Sequence, residues 1–249
     1  MRSFAPGLAL WLALMPPAGG AGRLPAGFVY LRDVDAGIAQ EMRYAGADNF
    51  TGRPLPGYGA AECVLRRDAA QALKRVEADL ARANLGLKVY DCYRPVRAVA
   101  AMANWTRQPE SPGAPARRFF PGVEKSRLFT LGYLAAHSAH STGTAVDVTL
   151  IERPPRAAAL ERNAAYGPCT APAAQRAPDN SLDMGTGFDC FDGKSRTLSP
   201  AISPDQAKRR ALLVAAMRRR GFHNYFREWW HFSYGPRPAG AYDFPIAPR

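Results

Sequence analysis

Near its C-terminus the chain reads REWWHF, residues 227–232, which sets Glu228 and His231 beside Trp229, Trp230 and Phe232. A carboxylate among apolar rings loses hydration, and this favours its neutral form. Glu228 therefore calls for a nearby cation or a role in proton transfer. Upstream, SAHSTGTAVDV arranges Ser138, His140, Gly143, Ala145 and Asp147 as S-x-H-x-x-G-x-A-x-D. A catalytic zinc takes three nitrogen or oxygen ligands and keeps one position for water. His140 and Asp147 supply two of these if Gly143 turns the chain back toward a strand. His231 is the natural third, with His137 and His223 as the remaining histidines. A lone histidine beside aromatic residues is more often a satisfied core residue, so the combination, rather than His231 alone, points to metal chemistry.

These residues need elements to hold them. AVDVTL, residues 145–150, alternates as a strand, with Val146, Val148 and Leu150 on one face and Ala145, Asp147 and Thr149 on the other, where small and polar side chains leave room for a ligand. GLKVYDCYRP reads as a strand ending near Arg94, with a helix starting at Pro95, so Arg94 lies on a strand-to-helix turn. Ala69, Leu73, Val76 and Leu80 recur at helical spacing within residues 66–83. Residues 111–121 and 152–200 read as loop. Ser203, Pro204 and Gln206 then form a helix start, with Ala207, Ala211, Val214 and Met217 expected on the buried face. The run NYFREWWHFSYG is expected to be a core strand. There Glu228 and His231, three residues apart, would face opposite sides unless Glu228 precedes the strand or a bulge re-aims it. Helices and strands at irregular spacing, without a βαβ rhythm or a phosphate loop, predict a single α+β domain built on a largely antiparallel sheet flanked by helices.

Composition narrows the setting. The formal net charge is +12, but the basic residues are scattered among acids without a basic stripe interleaved with aromatics, so nucleic acid is not an expected partner. Residues 1–22 combine Arg2, an apolar run from Leu8 to Met15 and small residues at 18–21, which predicts a signal peptide followed by one domain over residues 23–249. No later stretch offers the roughly 18 unbroken apolar residues of a membrane span, and nothing in the sequence specifies an oligomer. Cys63, Cys92, Cys169 and Cys190 contain no CxxC pair, and two local disulfides, Cys63–Cys92 and Cys169–Cys190, are expected to restrain the unfolded chain by roughly 3 kcal/mol each.

DNFTGRPLPGY, DCYRP, HSTGTAVDV, MGTGFD, EWWHF and the closing YDFPI occur in an order that resembles the D-alanyl-D-alanine dipeptidases within the zinc DD- and LD-peptidase group, from about Tyr44 to Ile246. The resemblance implies the small α+β fold of those peptidases, one Zn2+ per chain held by His140, Asp147 and His231, Glu228 as general base, and Arg94 steadying the developing oxyanion. It also implies a small dipeptide substrate whose ammonium meets Asp189, with Tyr44 in the same pocket and Ser138 supporting the site or the substrate carboxylate. Ala139 and Thr142 stand where other members can carry Ser and Arg, and His137 adds a histidine near the metal. The expected function is exported hydrolysis of D-Ala-D-Ala in cell-wall turnover or dipeptide salvage. The rivals are a zinc carboxypeptidase acting on peptidoglycan stems and a non-catalytic envelope-binding module that uses zinc structurally.

Overall fold

The computed structural model describes residues 23–110, 115–154, 166–236 and 240–249, and the expected signal peptide lies outside them. The chain opens with β1 (Phe28–Tyr30), the single turn α1 (Leu31–Val34) and β2 (Ala39–Gln40), then runs through β3 (Val64–Arg66) directly into α2 (Arg67–Ala81). The helical spacing read from the sequence is obeyed, because Ala69, Leu73, Val76 and Leu80 all face inward. β4 (Leu85–Asp91) and α3 (Val96–Thr106) follow, with Pro95 as N-cap, one position earlier than the N1 site where proline was expected. β5 (Ala145–Glu152), α4 (Pro204–Arg219), β6 (Phe222–Asn224) and β7 (His231–Tyr234) complete the domain.

One five-stranded sheet in the order β2-β4-β5-β7-β6 carries the fold; only β2 and β4 run parallel, so the sheet is mostly antiparallel. β1 and β3 form a separate antiparallel pair. β5 is central, and every residue from Ala145 to Ile151 is buried. The face holding Asp147 is thus covered as fully as the face holding Val148. α2 and α4 pack together and against the sheet.

Two expectations are corrected. The buried face of α4 is Arg210, Leu213, Ala216 and Met217, whereas Ala207 and Ala211 are exposed. The reason is Arg210, whose guanidinium donates to the carbonyls of Met184 at 2.8 Å, Arg196 at 2.6 Å and Lys194 at 3.1 Å, so an arginine closes the loop beneath the helix from inside the core. The helix start holds as read, with the reciprocal Ser203 and Gln206 bonds of a capping box and Pro204 at its first position. The second correction concerns residues 224–235, which are not one strand. β6 and β7 are the arms of a hairpin, and residues 225–230 form the excursion between them. Tyr225 N donates to His231 O at 2.9 Å and Glu228 N to Tyr225 O at 3.0 Å, which closes a tight turn. Among the described residues no helix is long and apolar enough to cross a membrane.

Both cysteine pairs are bonded, Cys63 to Cys92 and Cys169 to Cys190. The first joins the small sheet to the end of β4, and the second ties together the long connection before α4.

Candidate metal centre

Sheet register brings the chemistry together. Asp147 on β5 lies directly opposite His231 on β7 and, on the other side, opposite Asp91 at the end of β4, after a register shift between Val89 and Asp91. Three polar side chains from three neighbouring strands thus form one row across the sheet. His140 reaches the row from a short 3-10 helix, Ala139–Thr142, that ends at Gly143. Gly143 has φ +77°, and a Cβ there would fall 2.2 Å from a ring carbon of Phe28, so only glycine allows the return into β5. Ser138 caps this helix, its Oγ accepting from His140 N at 3.2 Å, so its hydroxyl steadies the turn that carries His140.

His140 Nε2 and His231 Nδ1 are 3.0 Å apart, and Asp147 Oδ1 lies 3.3 Å from the first and 3.0 Å from the second. His140 Nδ1 meets the Cys92 carbonyl at 2.7 Å, so it carries the proton and leaves the Nε2 lone pair facing the cluster. A second ring nitrogen and a carboxylate oxygen converge on that lone pair, and such a group is satisfied by a shared proton or by a cation. All three donors lie within 4.8 Å of one another. Two imidazoles and one carboxylate form a donor set that suits zinc with a position left open. The electrostatics agree with a site built for positive charge. Burial works against ionising Asp147, yet His140 and His231 hold its carboxyl well below the ordinary range. Burial likewise works against a charged His231, but the bond to Asp147 raises its pKa.

Glu228 sits in the hairpin turn rather than on β7, so the conflict between its side and that of His231 disappears: the base candidate precedes the strand that carries the ligand candidate. Asn224 Nδ2 fixes the turn by donating to Glu228 O at 3.1 Å and His231 O at 3.0 Å. Burial pushes the Glu228 carboxyl up to about 7, against the opposing pull of His231. The two tryptophans divide their work. Trp230 walls the cavity, while Trp229 turns into the core and donates to Thr186 Oγ1 at 2.8 Å.

Arg94 is held over the Tyr44 ring at 4.8 Å, with its Nη2 3.6 Å from Asp147 Oδ2. Asp91, which sequence reasoning did not single out, grips it: Asp91 Oδ2 accepts from Arg94 Nε at 2.9 Å, and Asp91 Oδ1 accepts from Tyr58 OH at 2.6 Å. An acid three residues before an arginine, at the end of a strand, was the available signal. Tyr44 OH donates to Asp189 Oδ2 at 2.7 Å. Asp189 is nearly closed off, adopts a left-handed φ of 54°, and has its carboxyl raised well above the ordinary range by burial and by the neighbouring Asp147. His137, Ser138 and His223 line the cavity, but neither His137 nor His223 belongs to the three-donor group.

The cavity over this group measures about 440 Å³ and is walled by Phe50, Val99, Met102, Leu134, Phe191 and Trp230 between the charged residues. Apolar walls with few convergent polar groups are the usual make-up of a small-molecule site.

Comparison with known proteins agrees. The sequence model of a family described as D-ala-D-ala dipeptidase matches residues 25–155 and 172–247. A D-alanyl-D-alanine dipeptidase of Enterococcus faecium is 31% identical over 222 residues, 88% of this chain and 98% of that protein. One from Streptomyces coelicolor is 33% identical over the same length and the same shares, and one from Escherichia coli is 33% identical over 192 residues, 77% of this chain and 76% of that protein.

Proposed function

Because the chain belongs to the D-alanyl-D-alanine dipeptidase family of zinc metallopeptidases, we propose that it hydrolyses free D-Ala-D-Ala to two D-alanines, with His140, Asp147 and His231 holding one zinc ion. The observation that carries this reading is the convergence of those three donors beside Glu228 and Arg94, both half-buried, in one cavity. Zinc bound there supplies Lewis acidity, drawing charge from the scissile carbonyl oxygen and acidifying a water.

The chain's own residues do the rest. Glu228 takes the proton of the attacking water on its carboxylate and returns it to the departing amine, a task helped by burial, which raises its carboxyl above the ordinary range. Arg94, fixed by Asp91, donates from its guanidinium to the carbonyl oxygen as charge gathers there. Asp189, held by the Tyr44 hydroxyl, receives the substrate ammonium, and its near-complete enclosure supports counting the substrate from that end. Two disulfides in a chain whose first residues read as a signal peptide support action outside the cytoplasm, in cell-wall turnover or dipeptide salvage.

Product analysis with purified zinc-loaded protein tests this reading against the carboxypeptidase alternative. D-Ala-D-Ala is expected to yield D-alanine, while N-acetyl-D-Ala-D-Ala and a pentapeptide ending in D-Ala-D-Ala are cleaved at least a hundredfold less efficiently. Equal cleavage of the acetylated and free dipeptides would overturn the closed dipeptide site.

A further inference from the structure

The three-donor group meets the first disulfide through a single atom. The carbonyl that receives the His140 Nδ1 proton, at 2.7 Å, is that of Cys92, and Cys92 is cross-linked to Cys63 with 5.3 Å between their Cα atoms. β4 ends at Asp91, so the sheet ladder does not hold this carbonyl. Cys63, in contrast, is fixed on both sides of its peptide frame: its N donates to Gln40 Oε1 at 2.8 Å, and its carbonyl accepts from Leu31 N at 2.9 Å. Next to the cross-link, Tyr93 N donates to Val64 O at 2.9 Å, and Arg94 N to His140 O at 3.3 Å. Both sulfurs are fully buried.

We propose that the Cys63–Cys92 bond is a positioning element for the metal: it anchors the Cys92 carbonyl that selects the tautomer and aim of His140, so zinc affinity depends on that bond being formed. This inference rests on the zinc site proposed above. With the anchor gone, residues 92–94 hang on the Tyr93 and Arg94 bonds, the His140 Nδ1 proton keeps only the more distant Asp91 carboxylate, 3.4 Å away, as a partner, and the ring more readily carries its proton on Nε2, where it cannot ligate. Loss of an outer partner to a ligating histidine typically weakens metal binding by about 10- to 100-fold. The second disulfide provides the comparison. Cys169–Cys190 also lies beside the cavity, next to Asp189, but its carbonyls accept from Gly187, Asp192 and Ser195, and none accepts from His140.

The test measures zinc affinity of the full chain by competition with a chelator for the native protein, C63A/C92A and C169A/C190A, with circular dichroism recording that each is folded at the assay temperature. C63A/C92A is expected to bind zinc at least tenfold more weakly than the native protein, and C169A/C190A within twofold of it. Equal losses in the two variants, or a change below twofold in C63A/C92A, overturn the inference while leaving the zinc site intact. A native protein that takes up no zinc overturns the zinc site and the inference with it. Should C63A/C92A not fold, C63V/C92A, which refills part of the sulfur volume, takes its place; if neither folds, the bond serves the fold as a whole and the inference fails.

Discussion

Asp91 holds Arg94 by two contacts to one carboxylate oxygen, 2.9 Å from Nε and 2.8 Å from Nη2, while its other oxygen takes the Tyr58 hydroxyl. The arginine proposed to meet the oxyanion is therefore aimed by a residue that itself touches no substrate. Arg94→Ala is expected to lower kcat by roughly 10²-fold or more, about 2.7 to 4 kcal/mol, as for loss of an oxyanion donor. Asp91→Asn keeps the shape but removes the charge that aligns the guanidinium, and should lower kcat by about tenfold with zinc content unchanged. Steady-state kinetics beside zinc analysis decides this; an effect of either substitution confined to KM would make Arg94 a binding residue.

Glu228 in the turn and His231 on β7 are proposed to have separable roles, base and ligand. Glu228→Ala is expected to retain one zinc per chain and lose turnover, whereas His231→Ala loses both. Metal analysis after dialysis reads the outcome, and loss of zinc by Glu228→Ala with retention by His231→Ala would reverse the assignment.

The pH dependence follows from Glu228. A general base works only when ionised, so kcat/KM falls as pH drops through its pKa. Burial sets that value at about 7 in the metal-free chain, and a bound cation can only lower it, toward the ordinary carboxylate value of about 4.3. The acid limb of kcat/KM should therefore lie between these values and vanish in what activity remains in Glu228→Gln. A limb above 8 would belong to another group.

Asp189→Asn removes the proposed partner of the substrate ammonium from an enclosed site. A buried charge stripped of its partner costs about 3 to 5 kcal/mol, a loss of at least a hundredfold. kcat/KM for D-Ala-D-Ala should fall by that factor, while the poor rate with N-acetyl-D-Ala-D-Ala changes little. A parallel fall for both compounds would separate Asp189 from the amine.

Arg210→Ala leaves the Met184, Lys194 and Arg196 carbonyls without their donor inside the core. The expected cost is about 3 kcal/mol or more, a drop in Tm of roughly 6 °C or more. Thermal unfolding measures it, and a change of less than 2 °C would mean that water replaces the guanidinium.

The sequence made the donor set legible because the histidine and aspartate flank a glycine that has to turn, and the second histidine stands beside an acid in a distinctive aromatic run. The reading of α2 succeeded for the same kind of reason, since Ala69, Leu73, Val76 and Leu80 are apolar and turn inward, although Glu77 is buried beside them and accepts from Leu87 N. α4 was misread because its inward face contains Arg210, and a pattern that sorts residues by polarity sends arginine outward. The aromatic run was misread as one strand because aromatic content signals burial without saying whether the chain reverses, and Tyr225 to Trp230 reverse it. Asp91 escaped notice because its three-residue spacing from Arg94 does not by itself show a contact, and the Tyr58 hydroxyl that fixes its other oxygen stands 33 residues away.

The row of Asp91, Asp147 and His231 across three strands also bears on how the chain becomes competent. Side chains alternate faces along a strand, so a slip of one residue between β5 and β7 would carry Asp147 to the opposite face from His231 and dissolve the donor set. A chain zipped in a neighbouring register lacks that donor set and is mute toward zinc. If the three donors hold zinc as proposed, metal capture proofreads the sheet: the ion adds its binding free energy only to the correctly aligned pairing, and the chain stays inert until that alignment is reached.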